Sequence, residues 1–342
     1  MKPGFEACLQ GARERLGVLL FDWLRYRRAI RSRGDAWLSL CNRAETLRPA
    51  PQGAGLECVW RWSSDLHAPK VFPRLGQDLM RRALESCPVR LASAPSFPAS
   101  EKPDVAVIIG HRGEERLPLL LMTLRSLAAQ SDAALECVVV EHVAAPSIAG
   151  RLPPGVHHVP LPAVPGEPYN RAKTFNAGMR QVRAPVAILH DGDILAPATY
   201  ARDALNLFRQ GEEIVNLKRF VFCLSAEHTA QTVAQGTVRA SCAPESVVQN
   251  LTGGGSLAVS RAAYERIGGF DEAFEGWGGE DVDFWDRAQT RRVWPYAHLP
   301  FFHLWHAPQP EKTPAKDAPA MQRLAAVSRI PVEERIARLR HR

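Results

Sequence analysis

The chain has 342 residues, of which 46% are hydrophobic and 23% are charged, and this length suits about two domains. The composition is typical of a folded globular protein and excludes disordered, collagen-like and coiled-coil chains. The formal net charge is +7, and the whole excess lies in residues 1–100, because residues 101–342 sum to zero.

The seven cysteines are odd in number, widely spaced and without a C-x-x-C pair. This usage argues against a disulfide framework and against a zinc site. Residues 1–10 lack the charged and apolar regions of a secretory signal, and no apolar run reaches the ~20 residues of a membrane span. We therefore expect a cytoplasmic protein.

Residues 1–100 are predicted to form a basic, helical accessory region. Apolar residues recur there at helical spacing, in one set at Leu16, Leu19, Leu20, Trp23 and Leu24 and in another at Leu75, Leu79, Met80 and Leu84. The Pro-, Ser- and Ala-rich stretch 92–103 is interpreted as a linker. Residues 307–342 are predicted to be a basic tail that ends in a helix.

Residues 101–306 are predicted to form an α/β catalytic domain. Short apolar runs at 105–109, 137–140 and 186–189 are typical of buried parallel strands, and helical patterns around 117–127 and 173–182 separate them. Strands that alternate with helices imply a mostly parallel sheet. In such sheets a ligand binds at the carboxyl ends of the strands.

The third strand leads directly into His190-Asp191-Gly192-Asp193. Two carboxylates at the end of a buried strand suit a hard divalent cation such as Mg²⁺ or Mn²⁺. An Asp-Gly pair is also frequent in turns. The D-x-D element alone therefore does not decide between a metal site and a turn.

A second segment, 276–283 (GWGGEDVD), places three acidic residues directly after three glycines and a tryptophan. The glycines allow close backbone approach, and closely packed carboxylates are easier to explain at a working site than on a plain surface. The start of a helix, which favours acidic side chains, is the alternative.

A third segment, 301–306 (FFHLWH), contains His303 and His306. Either imidazole is a candidate metal ligand, and a histidine that is satisfied within the core is the alternative. Together the three segments fit one chemistry, in which a bound cation neutralises a diphosphate leaving group and a carboxylate activates an attacking hydroxyl. That chemistry is glycosyl transfer from a nucleotide sugar.

Several motifs resemble those of the GT-A nucleotide-sugar glycosyltransferases, and in particular the β-1,4-galactosyltransferase family. They occur in the same order, as GHR at 110–112, YNRAK at 169–173, GGGSL at 253–257, GGF at 268–270 and GWGGED at 276–281. A related G-W-G-G-E element occurs in polypeptide N-acetylgalactosaminyltransferases and in bacterial chondroitin-type polymerases. The resemblance implies a GT-A, Rossmann-like sheet flanked by helices, with the N-terminal helical region as an addition.

The resemblance also implies roles for individual residues. Asp281 is expected to be the catalytic base and Glu280 to hydrogen-bond the acceptor. The implied metal ligands are Asp193, Asp191 and one of His303 and His306, with Mn²⁺ or Mg²⁺ as the ion. The implied donor-binding residues are Arg112, Glu141, Arg171, Lys173, Asn176, Asp191, Gly254 and Trp277.

The expected activity is transfer of a galactose-type hexose from a UDP-sugar to a hydroxyl of a glycan or lipid-linked glycan. In the families that the chain resembles, inverting members have Asp where retaining members tend to have Asn, so the resemblance implies inversion of configuration with Asp281. A retaining enzyme, a transferase for an N-acetylhexosamine or uronic acid, and a non-catalytic nucleotide-sugar-binding module are the alternatives. No nucleic-acid module surrounds the basic cluster near Arg25 and Arg33, and the basic flanks are expected to contact an anionic membrane at its inner face or to be plain solvated faces.

Overall fold

The computed structural model describes residues 3–60, 62–276, 278–308 and 318–341. The described helices are α1 Pro3–Phe21, α2 Trp23–Arg31, α3 His67–Val71, α4 Pro73–Ser86, α5 Leu117–Ala128, α6 Arg171–Met179, α7 Tyr200–Arg209, α8 Ala226–Gln235, α9 Arg261–Arg266, α10 Glu280–Ala288, α11 Pro319–Val327 and α12 Val332–Arg340.

The described strands complete the chain. They are β1 Leu47–Pro49, β2 Leu56–Cys58, β3 Ser64–Asp65, β4 Val105–His111, β5 Leu135–Val143, β6 Val156–Pro162, β7 Val186–Asp191, β8 Ile194–Leu195, β9 Ile214–Val215, β10 Lys218–Cys223, β11 Ser246–Gln249, β12 Ser256–Ser260, β13 Val293–Trp294 and β14 Leu299–His303.

The chain divides into two compact units. The first contains residues 1–89, 218–251 and 296–305, and the second contains residues 90–217, 252–295 and 306–342. These bounds differ from the three sequence regions predicted above, because two later segments complete the first unit. The functional division into accessory region, catalytic domain and tail stays a prediction.

The second unit is built on a sheet with the strand order β13-β9-β12-β7-β4-β5-β6. The β4 strand pairs in parallel with β5 and β7, β5 pairs in parallel with β6, and β12 is antiparallel to both of its neighbours. Residues 105–109 are fully buried, as a central parallel strand covered on both faces must be. The predicted α/β class with a mostly parallel sheet is confirmed.

The register of this sheet positions the candidate site. Gly110 of β4 lies opposite Asp191 of β7, so both strands end at one edge. Helix α6 packs on the sheet through Phe175 and Met179 within the main core cluster. The loops that follow β4 and β7 therefore start side by side.

The segment predicted as a linker lacks helix and strand but is anchored. Phe97 is 3% exposed, and its backbone N–H donates to the Pro154 carbonyl at 2.9 Å. Both residues belong to the second unit, so this stretch is irregular chain packed against its own unit.

In the first unit, β10 pairs in parallel with β14 and antiparallel with β11, and α1 to α4 confirm the predicted helices. Both leucine sets lie in helices, but they differ in burial. Leu75 and Leu79 are buried, whereas Leu16 is 59% and Leu20 is 74% exposed. Val18 lies on the opposite side of α1 and is fully buried, so α1 packs through that side.

Within the described residues, no helix has the length and apolar character needed to cross a membrane.

Candidate functional site

The D-x-D element lies at the carboxyl end of β7, as predicted. Asp191 is the last residue of the strand, and its backbone N–H donates to the Gly255 carbonyl at 2.8 Å. The Gly255 N–H returns a hydrogen bond of 3.1 Å to Asp191 Oδ2. These two bonds hold the glycine-rich loop 253–255 beside the first carboxylate.

Asp193 contacts two groups that carry or can carry positive charge. Arg116 donates to its Oδ2 at 3.1 Å, and the His306 Nε2 lies 3.3 Å from the same oxygen. Sequence reasoning missed Arg116. The sequence signal that could have identified it is its position in the loop after β4, four residues beyond Arg112. Such loops start at the edge of a parallel sheet where ligands bind.

Arg171 is the central cation of the site. Its Nε donates to Asp191 Oδ1 at 2.8 Å, its Nη1 donates to Asp281, and the same Nη1 lies 3.8 Å from the Glu280 carboxylate. Burial by itself lowers the pKa of Arg171, but the three carboxylates raise it overall. One guanidinium thus joins both predicted acidic motifs.

Local sequence explains how Arg171 is placed. Asn170 caps α6, since its side chain accepts a hydrogen bond from the Lys173 N–H at 2.9 Å, a common role for Asn. The Asn170 side-chain amide also donates to the carbonyls of Glu272 and Phe274. The cap therefore ties the start of α6 to the segment that precedes α10.

Glu280 and Asp281 are the first two residues of α10. The acidic motif and the start of a helix, which were alternatives for this segment, therefore occur at the same place. Burial raises the pKa of Glu280 to about 7, Asp281 adds to this increase, and Arg171 opposes it. Glu280 Oε2 is buried and has no hydrogen-bond partner among the described residues. The Asp281 side chain is 27% exposed. The pair thus offers one carboxyl that is half protonated near neutral pH and one that solvent or a substrate reaches.

Two glycines permit close approaches at the site. A Cβ at Gly253 would lie 2.5 Å from the Asp281 carbonyl oxygen, and a Cβ at Gly110 would lie 2.2 Å from both Tyr169 Oη and Thr174 Oγ1. Neither distance is compatible with a side chain. Gly110 thus has a local packing reason to lack a side chain.

Four predicted donor-binding residues make contacts within the protein. Arg112 donates to the Glu167 carbonyl at 2.6 Å, and Lys173 pairs with the Glu167 carboxylate at 2.6 Å. The buried Glu141 carboxylate contacts His158 Nε2 at 2.8 Å and accepts from the Ser147 N–H. Their donor-binding roles stay predictions.

Asn176, the fourth, binds the turn that contains the G-G-F element. Its amide nitrogen donates to the Phe270 carbonyl and to Glu272, and its amide oxygen accepts from the Phe270 N–H and from the Tyr264 hydroxyl. Asn176 therefore holds this turn against α6, and donor binding by Asn176 stays a prediction.

The third acid of the motif, Asp283, is structural. It is 2% exposed and pairs with the fully buried Arg287 at 2.8 Å and with Arg335 of α12 at 2.7 Å. Arg287 also donates to the carbonyls of Ile267 and Gly269. This network joins α10 to the C-terminal helix, so Arg335 of the predicted basic tail is buried rather than solvated.

The remaining predicted residues are Gly254, Trp277, His303 and His306. Gly254 lies in the loop beside Asp191, and Trp277 lies outside the described residues. His303 ends β14 in the first unit, where its carbonyl accepts from the Leu224 N–H, whereas His306 lies in the second unit beside Asp193. Asp193 Oδ2 and His306 Nε2, which lie 3.3 Å apart, supply an oxygen and a nitrogen donor of the kind that fits the implied Mn²⁺. Metal binding by Asp191 stays a prediction.

Two sequence comparisons agree with the motifs. Residues 237–295 match the family described as the N-terminal domain of galactosyltransferase. A β-1,4-galactosyltransferase 5 of Danio rerio is 30% identical over 131 residues, which are 36% of this chain and 27% of that protein. The chain thus spans about a quarter of the length of the curated relative that it matches. The predicted resemblance is confirmed, and residues 237–295 carry a domain of the galactosyltransferase type.

Among solved structures, the catalytic domain of Drosophila β1,4-galactosyltransferase 7 in complex with xylobiose is similar, with 16% identity and a TM-score of 0.41. The match covers 65% of this chain and 79% of that one. Staphylococcus aureus TarS 1–349 has 14% identity and a TM-score of 0.42, with coverage of 58% and 60%, and it has also been solved in complex with UDP.

Proposed function

We propose that this chain, whose residues 237–295 carry the galactosyltransferase-type domain, is an inverting glycosyltransferase. It moves a galactose-type hexose from a UDP-sugar to a hydroxyl of a glycan or lipid-linked glycan. One observation carries the proposal: the Arg171 guanidinium bonds both to Asp191 of the D-x-D element and to Asp281 of the G-W-G-G-E-D element. In this proposal, one side chain joins the carboxylate assigned to the donor side and the carboxylate assigned to the acceptor side.

On the donor side, the site offers cations for a diphosphate. Arg171 and Arg116 lie at the carboxylates, and the guanidinium fork suits phosphate oxygens. Phosphate binding would draw both side chains away from Asp281 and Asp193, and so release those carboxylates for catalysis. Mn²⁺ or Mg²⁺ held by Asp191, Asp193 and His306, with His303 as the alternative imidazole, would supply the charge that stabilises the leaving diphosphate.

On the acceptor side, Asp281 acts as general base. Its carboxylate takes the proton of the acceptor hydroxyl while that oxygen forms a bond to the anomeric carbon. The bond from the anomeric carbon to the diphosphate oxygen breaks, and UDP leaves with the electron pair. Glu280, whose pKa is raised to about 7, donates a hydrogen bond from its protonated form to a second oxygen of the acceptor.

Release of UDP from a panel of UDP-sugars, with and without glycan acceptors and divalent metal, tests this function. Asp281→Asn should lower kcat by several orders of magnitude while donor binding stays nearly intact. Asp286→Asn, an exposed position on the same helix, is the matched control and should keep the wild-type rate. Near-normal transfer by Asp281→Asn would remove Asp281 from the role of base.

The same assay separates the alternatives. A β-linked product from an α-linked donor establishes inversion, and an α-linked product would establish retention. Preference for an N-acetylhexosamine or uronic-acid donor would change the substrate but not the reaction. Donor binding with no turnover under any condition would identify a nucleotide-sugar-binding module.

Peripheral contact with an anionic membrane belongs to the same proposal, because a lipid-linked acceptor lies at such a surface. The support is the basic excess of residues 1–100, since clustered Lys and Arg side chains are attracted to anionic headgroups.

A further inference from the structure

The outward side of α1 is apolar. Leu9, Leu16 and Leu20 recur at spacings of seven and four residues, so they lie in one line along the helix. Their side chains are 42%, 59% and 74% exposed. The buried Val18 points to the opposite side, so these leucines face away from the packing contacts of α1.

The apolar surface continues into α2. Phe21, at the end of α1, is 66% exposed, and Leu24, in the first turn of α2, is 62% exposed. Tyr26 and Ala29 are buried and define the packed side of α2. We call the surface formed by the exposed side chains of residues 9–31 the α1–α2 face. Contiguous exposed apolar surface of this kind usually marks an interaction site.

Arginines surround this apolar surface. Residues 9–33 contain seven arginines against two acids, Glu14 and Asp22. Asp22 is buried and paired with Arg25 and Arg43. The exposed side chains of Arg28 and Arg31, like those of Arg13 and Arg15, form no ion pair within the described part of the chain.

A basic groove of about 520 Å³ lies beside α2. Arg27, Arg31 and Arg74 line it, and its two acids, Asp78 and Glu85, pair with neighbouring arginines. The groove thus adds positive charge next to the α1–α2 face and has the character of a phosphate-binding surface.

We infer that the α1–α2 face is an interfacial membrane-binding surface that inserts its leucines and Phe21 among the headgroups of an anionic bilayer while its arginines bind lipid phosphates. Apolar residues flanked by Arg are the pattern of helices that lie in the membrane interface. A second copy of the chain would set unpaired arginines against each other, and a nucleic acid would leave the leucines exposed. The inference deepens the proposed membrane contact and does not depend on glycosyl transfer.

Flotation of the full chain with vesicles tests the inference. Binding is expected to vesicles of phosphatidylcholine with phosphatidylglycerol, to weaken with salt, and to be absent from pure phosphatidylcholine. Absence of binding to the anionic vesicles at low salt would overturn the inference.

Two variants separate the apolar and charged contributions. Leu16→Ser/Leu20→Ser/Leu24→Ser and Arg27→Gln/Arg28→Gln/Arg31→Gln should each lower the vesicle partition coefficient by at least about tenfold. Because these side chains are exposed, the variants should keep the wild-type melting temperature, and Leu20→Ser alone provides the milder test. Unchanged binding of the leucine variants would show that charge alone acts and would contradict the inference.

Val164→Ser/Arg209→Gln is the matched control, because Val164 is 70% exposed and Arg209 is also exposed, and both lie in the second unit. This control should bind like the wild type. Light scattering tests self-association as the competing explanation. If the wild type is a dimer and Leu20→Ser converts it to a monomer without changing vesicle binding, the α1–α2 face is assigned to self-association. All of these variants should hydrolyse the donor at the same rate when vesicles are absent. A failure of the proposed enzymatic function is therefore distinguishable from a failure of membrane binding.

Discussion

Arg171 donates a hydrogen bond to the Asp281 carboxylate while its Nε holds Asp191 at 2.8 Å. The predicted base is therefore neutralised by the same side chain that contacts the D-x-D element. Arg171→Lys should raise the donor KM and lower kcat, each by about tenfold, because an ammonium group cannot replace the two-sided fork. Steady-state kinetics measure both constants. Arg180 is exposed at the end of the same helix, so the control Arg180→Lys should keep the wild-type KM and kcat. Wild-type kinetics for Arg171→Lys would contradict a role for the fork.

Arg116 is expected to affect metal and donor binding in opposite directions. Arg116→Gln removes the cation that lies 3.1 Å from Asp193, so Mn²⁺ should bind the donor-free protein more tightly. UDP should bind about tenfold more weakly, since a charged hydrogen bond is lost. Calorimetric titrations with Mn²⁺ and with UDP measure both effects. Arg151→Gln, which removes an exposed arginine, is the control. If Arg116→Gln weakened the binding of both Mn²⁺ and UDP, the assignment of Arg116 to UDP binding would be contradicted.

Glu280 should make the stability of the chain dependent on pH. Its pKa is raised from 4.5 to about 7 in the folded protein, so the folded state retains a proton that the unfolded state releases. Stability should therefore fall as pH rises from about 4.5 to about 7, by at most about 3 kcal/mol. Urea unfolding across this range measures the slope. Glu280→Gln should reduce it, and an unchanged slope would show that Glu280 titrates normally.

The buried Asp283 should matter for stability. Asp283→Ala leaves Arg287 and Arg335 without their shared carboxylate, and removing one partner of a buried pair costs about 3–5 kcal/mol. Asp286→Asn on the same helix, with a side chain 47% exposed, should cost less than about 1 kcal/mol. Denaturant unfolding compares the two variants, and equal unfolding midpoints would contradict the structural role of Asp283.

Two glycines at the same edge of the sheet should respond differently to alanine. Gly110→Ala places a Cβ 2.2 Å from Tyr169 Oη and Thr174 Oγ1 and should destabilise the protein by about 1–3 kcal/mol. At Gly192 the nearest atom to an added Cβ is 3.5 Å away, so Gly192→Ala should leave stability nearly unchanged. Thermal unfolding tests the pair, and equal melting temperatures would show that Tyr169 and Thr174 can move aside.

Local sequence was sufficient to predict the parts of the fold that depend on short-range pattern. The buried run at 105–109 predicted a central parallel strand, and residues 186–189 predicted the strand that carries Asp191. Helix bounds were less precise, because the helix predicted around 173–182 begins at Arg171 and ends at Met179. Periodicity locates the interior of an element, whereas its first turn depends on capping and on the preceding loop.

Taken by itself, the sequence determined the order of the motifs, the mostly parallel sheet and the edge at which the D-x-D element lies, because strand pattern is local and strands that alternate with helices pair in parallel. Only the tertiary structure decided which charges meet. It paired Arg171 with Asp281 across 110 positions and buried Asp283 against Arg335 across 52. It also decided that Leu16 and Leu20 face outward, since periodicity shows that a helix has an apolar side but not whether the protein covers it.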